Sequence, residues 1–462
     1  MSHSPSSAPS GASTLPTGEE VVQNLPWRWN TQGRVFLVGG LGFMFDAWDV
    51  TLNGVMIPLL SKEWDLEPGQ AAWIGTANLI GMALGAFVWG TIADRIGRRK
   101  AFTATLLIFS LFTLAGALTG DIVWFAVFRF IAGFGLGGCI PVDYALVGEF
   151  TPRKHRGRVL TAMDGWWPIG AAACGFLSAW LVATWGHWQL PLLAMVLPAL
   201  LVFFVRLFVP ESPLFLIQQG REKEARAVID DMVHRVGLPP QEYVLPPVPA
   251  PKPLTLGSLG EQVAMLWRYS SRITFVAWSL FFTIMLVYYI ALQWLPKFLI
   301  DAGYEQSRAF ITTGGMAAVG LLGVIVAAWL VEHTGRKWLL GVTAIASSFL
   351  MAWLAAMLDV PTAVLPLVLA FGFVVQLAIP VLYTYVSELY PTELRGSGFG
   401  WASAVSRIAA GVGPLIFVTW MVPAIGLAWS FVVTGCMVVV AVVLMAFMAP
   451  ETTGKELEVT EA

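Results

Sequence analysis

The chain has 462 residues, 57% of them hydrophobic and only 12% charged, with a mean hydropathy of +0.72 and a formal net charge of −2. Those values lie far outside the range of soluble domains and offer no basic surface for nucleic acid. The chain belongs in a lipid bilayer.

Residues 1–33 are rich in Ser, Pro and Gly and lack a short apolar core with a cleavage site. They read as a disordered tail, with the first span acting as an uncleaved insertion signal. Apolar stretches long enough to cross roughly 30 Å of hydrocarbon follow near 34–60, 70–93, 101–120, 122–149, 158–183 and 188–209. An insertion over 211–271 contains "QQGREKEARAVIDDMVHRVG", read as an amphipathic helix, and a Pro-rich stretch from Pro239 to Pro253. Six more apolar stretches lie near 272–300, 307–331, 338–358, 361–388, 397–421 and 425–449, before a tail at 451–462. In hydrocarbon every backbone polar group must be satisfied within its segment, so such runs are helices. The expected architecture is an all-α membrane protein of twelve helices in two six-helix bundles, 34–210 and 272–450, joined by the linker 211–271.

Basic side chains set the orientation. Arg95, Arg98, Arg99 and Lys100 follow the second span, Arg153, Lys154, Arg156 and Arg158 the fourth, and Arg336 and Lys337 the eighth. The opposite connections carry almost none, so both termini and the linker are expected in the cytoplasm.

The charged connections are also written twice. "GTIADRIGRRK" from Gly90 returns as "AWLVEHTGRK" from Ala328, with Asp94 over Glu332, Gly97 over Gly335 and Arg98 over Arg336, an offset of 238. "EFTPRKHRG" from Glu149 returns as "ELYPTELRG" from Glu388 at 239, and "PESP" from Pro210 as "PETT" from Pro450 at 240. Three motifs in one order at nearly one offset indicate two copies of a six-helix unit in the same orientation. Acidic residues contribute little to topology, so Asp94, Glu149, Glu332 and Glu388 call for another role. With Arg95, Arg98, Arg156, Arg336 and Arg395 they form a candidate gate of breakable charge pairs at the cytoplasmic rim.

These motifs, together with "RFIAGFGLGG" from Arg129 and "PETTGKELE" from Pro450, resemble the signature set of the major facilitator superfamily in its sugar-porter-like version. The resemblance runs from the first span to the tail. It implies a twelve-helix carrier with two pseudo-symmetric bundles and one alternating-access site between them. It also implies that Arg129 packs helices and takes part in proton coupling.

Ionisable residues inside a span are costly and therefore candidates for function. Asp46, Asp49 and Asn53 share one face of the first span, with Asp46 about 18 Å deep by helical rise. Two carboxylates so close in a low dielectric do not both ionise readily, so one is expected to carry a proton. The alternative is that each accepts hydrogen bonds or pairs with an arginine. "FDAWD" from Phe45 resembles the Asp-x-x-Asp signature of bacterial niacin transporters and aromatic-acid:proton symporters, which implies a small aromatic carboxylate as solute. Arg407 lies deep in the eleventh span among small residues, a planar fork suited to gripping a carboxylate. Its alternative role is a salt bridge to Asp46, Asp49 or Asp143.

Trp167, Tyr289, Gln293, Gln376 and Tyr383 supply rings and amides to complete a pocket with Asn53, while Asp143 and Asp164 are further proton-site candidates. No nucleophile-and-base cluster, metal spacing or phosphate loop appears, and Cys139, Cys174 and Cys436 all fall inside predicted spans, so neither an enzyme nor a cofactor is expected. The expected protein is a monomeric, proton-coupled importer of the bacterial inner membrane, whose partners are a small solute, protons and lipid. A sugar or polyol transporter is the alternative, and a non-transporting sensor a more distant one.

Overall fold

The computed structural model describes residues 15–245, 256–391 and 394–452. The first half opens with a short helix α1 (Gly18–Asn24), then α2 (Gln32–Glu63), α3 (Pro68–Ile96) and α4 (Arg98–Gly116). α5 (Ile122–Gly137) runs into α6 (Cys139–Phe150), and α7 (Arg153–Asp164) into α8 (Trp166–Trp185), because Gly138 and Gly165 keep helical dihedrals at each junction. α9 (Gln189–Leu193) and α10 (Leu197–Phe208) end that half. The connection contributes α11 (Pro213–Gln218), α12 (Glu222–Arg235) and α13 (Leu256–Tyr269).

The second half consists of α14 (Ser271–Asp301), α15 (Gln306–His333), α16 (Arg336–Ala356), α17 (Pro361–Glu388), α18 (Arg395–Ile416), α19 (Val422–Ile425) and α20 (Leu427–Met448). A π-helical turn, Phe417–Met421, joins α18 to α19. Among the described residues, ten helical stretches are long and apolar enough to cross a membrane. The 29-residue α3 and the α9–α10 run take the second and sixth places of the first half.

The distribution of side chains suits a hydrocarbon solvent. Phe349, Trp420 and Phe447 are exposed, while Asp46, Asp49, Arg129 and Asp143 are fully buried. Apolar groups outside cost nothing in lipid, and charges inside escape it. Gly97 (φ 100°) ends α3 and starts α4, and Gly335 (φ 85°) follows the C-cap of α15 and starts α16, each in a left-handed conformation that only glycine adopts freely. The repeated glycine of the sequence motif is thus a repeated turn.

The tail and the linker are more ordered than the sequence suggests. Residues 1–14 lie outside the described residues, but the expectation of disorder fails for the rest of 1–33. Thr17 and Glu20 form a capping box for α1, which buries Val21 and Val22. Thr17 pairs in parallel with Val244, and Asn30 Nδ2 donates to the Arg235 carbonyl at 3.3 Å. α12 turns Ala225, Ile229, Met232 and Val233 inward, as its amphipathic spacing predicts. The Arg226 guanidinium lies over the Tyr243 ring at 5.1 Å, and Tyr243 Oη donates to Asp230 at 2.8 Å. Of the Pro-rich stretch, 246–255 lies outside the described residues.

The halves meet away from the end that carries the basic turns. A Cβ on Gly54 of α2 would stand 2.6 Å from the Leu292 carbonyl of α14, and one on Gly175 of α8 would stand 2.7 Å from Gly314 Cα of α15. Thr76 of α3 donates to the Gly411 carbonyl of α18 at 2.8 Å. These residues lie at mid-depth or beyond it. Nearer the basic end, α7 packs on α2, α6 and α8 of its own half. The contacts named between the halves thus lie at mid-depth or beyond it from the basic end.

Candidate functional site

Asp49 and Arg129 form a buried ion pair wholly within the first half. Arg129 Nη1 and Nη2 reach Asp49 Oδ1 and Oδ2 at 2.7 and 3.1 Å, and Nη2 also donates to the Asp49 carbonyl at 3.1 Å. Thr113 and Asn78 each donate to the Asp49 carboxylate at 3.2 Å. Asn53 accepts from Arg129 Nη2 at 2.7 Å and donates to Asn78 at 3.1 Å. Thus α2, α3, α4 and α5 are tied by one network in which both charges are matched. Asn53, expected at the solute, is committed to this network instead. Asp49, expected to exchange a proton, has every carboxylate oxygen engaged. Sequence reading missed Asn78 and Thr113, although Asn78 is a polar residue stranded in an apolar span and the same logic finds it.

Asp46, one turn from Asp49, is built differently. Both of its carboxylate oxygens are buried without a hydrogen-bond partner among the described residues, and the same holds for Asp143 of α6. Asp143 leans on α2 one turn below Asp46, where a Cβ on Gly42 would meet its Oδ2 at 2.9 Å. Arg407 of α18 lies within electrostatic reach of Asp46 and makes no ion pair among the described residues. The expected alternative for Arg407, a salt bridge to Asp46, Asp49 or Asp143, does not form among the described residues. Tyr289 and Tyr383 are within reach of Arg407 as well.

Beside this cation stands an aromatic and amide cluster. Trp167 Nε1 of α8 donates to Tyr288 Oη of α14 at 2.8 Å, and Gln376 Nε2 of α17 donates to the same oxygen at 3.0 Å. Trp167 packs on Phe43 with centroids 5.6 Å apart, Tyr383 stacks on Phe281 at 5.5 Å, and Tyr144 donates to Asp164. Sequence reading named Trp167, Gln376, Tyr289 and Tyr383 but passed over Tyr288, whose only signal was its neighbour. Gln293 lies elsewhere. It is buried in the seal between the halves, its Oε1 2.0 Å from where a Gly75 Cβ would be.

At the basic end the two motif copies build matching clusters. Arg98 pairs with Glu149 at 3.3 Å and Arg336 with Glu388 at 3.1 Å. Glu211 accepts from the Arg99 amide at 3.2 Å, and Glu451 from the Arg336 and Lys337 amides at 3.1 Å each, so an anion caps the start of α4 and of α16. Neither pair crosses between the halves. Arg95 is exposed, Arg156 reaches the Thr151 carbonyl at 3.4 Å, and Arg395 is half-buried at the start of α18. The side chains of Asp94 and Glu332 lie outside the described residues.

Two helical halves packed along α2–α14, α3–α18 and α8–α15, with a half-buried cation beside rings and amides at mid-depth, define a solute carrier. A family model for the Major Facilitator Superfamily matches residues 39–414 and, overlapping, 316–462. The niacin transporter NiaP of Acinetobacter baylyi is 35% identical over 425 residues, covering 91% of this chain and 94% of that protein. The benzoate transport protein of the same organism is 29% identical over 403 residues, covering 85% and 83%. In fold, the chain is similar to an inward-open structure of the xylose transporter XylE from E. coli, with a TM-score of 0.74 at 20% identity, covering 93% and 99% of the two chains. The chain belongs to the Major Facilitator Superfamily. It is an integral membrane transporter for a small-molecule solute and not an enzyme.

Proposed function

We propose that this protein imports a small aromatic monocarboxylate, such as nicotinate or a hydroxybenzoate, together with protons across a bacterial inner membrane, as a monomer. The observation that carries this reading is Arg407, a half-buried cation at mid-depth with no ion-pair partner among the described residues and with aromatic side chains around it. A permanent positive charge in a poorly solvated cleft favours an anion, and a planar fork beside rings favours a flat carboxylate. The relatives named for niacin, benzoate and 4-hydroxybenzoate support the same solute class.

In this reading Asp46 and Asp143, free of hydrogen-bond partners among the described residues, carry the protons. Arg407 balances Asp46 in the empty carrier. When the solute carboxylate takes Arg407, Asp46 loses that balance and binds a proton, which keeps the cleft near neutrality. The positive-inside rule puts the basic turns and both termini in the cytoplasm, so the cleft faces inward. The two Arg–Glu clusters hold each half's cytoplasmic end together, so that the halves rock as units.

Purified protein in liposomes with an imposed inward proton gradient tests the whole proposal. Nicotinate or hydroxybenzoate should accumulate, and a protonophore should abolish the accumulation. Glucose equilibration without proton dependence would end the proposal. Arg407→Ala should weaken binding of the acid by roughly 30-fold to several-thousand-fold, with Arg407→Lys recovering only part. Full affinity in Arg407→Ala removes the main support for an anion.

A further inference from the structure

Tyr288 bears on which ring the carboxylate carries, and this step rests on the solute class proposed above. A phenolic oxygen has two acceptor lone pairs and one proton to give. Trp167 Nε1 and Gln376 Nε2 both donate to Tyr288 Oη, from opposite halves of the molecule, and fill its accepting capacity. The indole N–H is a donor only, so that bond has one possible polarity. Among the described residues Tyr288 Oη donates no hydrogen bond, and the residue is 3% exposed. A buried donor left without an acceptor is costly and is normally matched by some partner. The Tyr288 hydroxyl sits where α8 of one half meets α14 and α17 of the other, with the Tyr289 ring 5.5 Å from its own.

We infer that Tyr288 is a specificity-determining donor, whose hydroxyl proton goes to an acceptor atom on the solute's ring, away from its carboxyl group. The site therefore selects aromatic acids bearing a ring nitrogen or an oxygen substituent over acids whose ring carries only C–H. Arg407 holds the charge common to the whole class, and Tyr288 sorts within it.

Equilibrium binding of pyridine-3-carboxylate and of benzoate to the purified full-length protein tests this, because the two acids share shape and charge and differ by one nitrogen for one C–H. The parent should prefer the pyridine acid by about tenfold, the worth of one net hydrogen bond. In Tyr288→Phe that ratio should fall to about one or below, since a desolvated ring nitrogen then has no donor. Gln376→Glu, which keeps the phenol but sets an acceptor beside it to capture its proton, should flatten the ratio too. Gln376→Leu, which adds no acceptor, should preserve it. A parent that binds the two acids alike overturns the inference, as does a Tyr288→Phe protein that keeps the parental ratio at any overall affinity. A parent that binds neither acid overturns the carboxylate reading itself, an outcome distinct from binding both equally.

Discussion

Asp46 and Asp49 stand one helical turn apart on α2, yet only Asp49 is locked in place by a guanidinium, a hydroxyl and an amide. Removing one member of such a pair strands the other charge, at a cost of about 3–5 kcal/mol. Asp49→Asn and Arg129→Ala should therefore lower the thermal midpoint in detergent markedly. Asp46→Asn, which breaks no hydrogen bond, should change stability by less than about 1 kcal/mol. Its effect should be on coupling: proton-driven accumulation stops while exchange of internal for external solute persists. Equal losses of stability in all three would show that the two aspartates are not divided in this way. The sequence made the shared face of Asp46, Asp49 and Asn53 legible, because helical spacing needs no tertiary information. It left their division hidden, since the partner that claims Asp49 lies 80 residues away on α5. Tyr288 and Tyr289 were indistinguishable for a related reason. Adjacent helical residues differ by one step of rotation, and only the packed neighbours say which of them meets Trp167.

At the scale of helices, the seal between the halves depends on missing side chains. Gly54 leaves room for the Leu292 carbonyl and Gly75 for the Gln293 amide. Gly54→Val should prevent α2 from closing on α14 and favour the conformation open at the end opposite the basic turns. Single cysteines placed near Gly54 should then react faster with an impermeant thiol reagent added outside oriented vesicles, and an unchanged rate would count against this role. The rim clusters allow a second prediction. Glu211→Gln and Glu451→Gln each weaken the anion that caps α4 or α16, worth about 0.3–1 kcal/mol at a helix terminus. Because the caps belong to different halves, the double variant should lose the sum of the single losses in thermal stability. A strong departure from additivity would mean that the halves share these contacts. Here the sequence was informative about membership, since register carried twice along the chain named Arg98, Glu149, Arg336 and Glu388 as rim residues, but the pairing of Arg98 with Glu149 and of Arg336 with Glu388 is seen only in the structure. What it could not give was that each pair closes within its own half, because a repeat specifies equivalent positions and not which copy touches which.

For the molecule as a whole, the halves pack through α2 on α14, α3 on α18 and α8 on α15, while each rim cluster stays within its own half. The Thr17–Val244 pairing adds a constraint of another kind. It brings the chain from before the first half back against the chain that leaves it, so that half is fastened into a ring without any covalent closure. Every element from α1 to α12 lies inside that ring, and α13 lies outside it. The first half thus has the topology of a self-contained folding unit, and the chain is suited to being cut in two. Co-expressed as separate polypeptides divided within 246–255, the two pieces should reassemble in the membrane and transport. Deleting residues 15–25, which undoes the fastening, should make the first piece sensitive to proteolysis even when the second is present. If the divided protein is inactive while the undivided chain tolerates that deletion, the fastening has no part in how the halves are made.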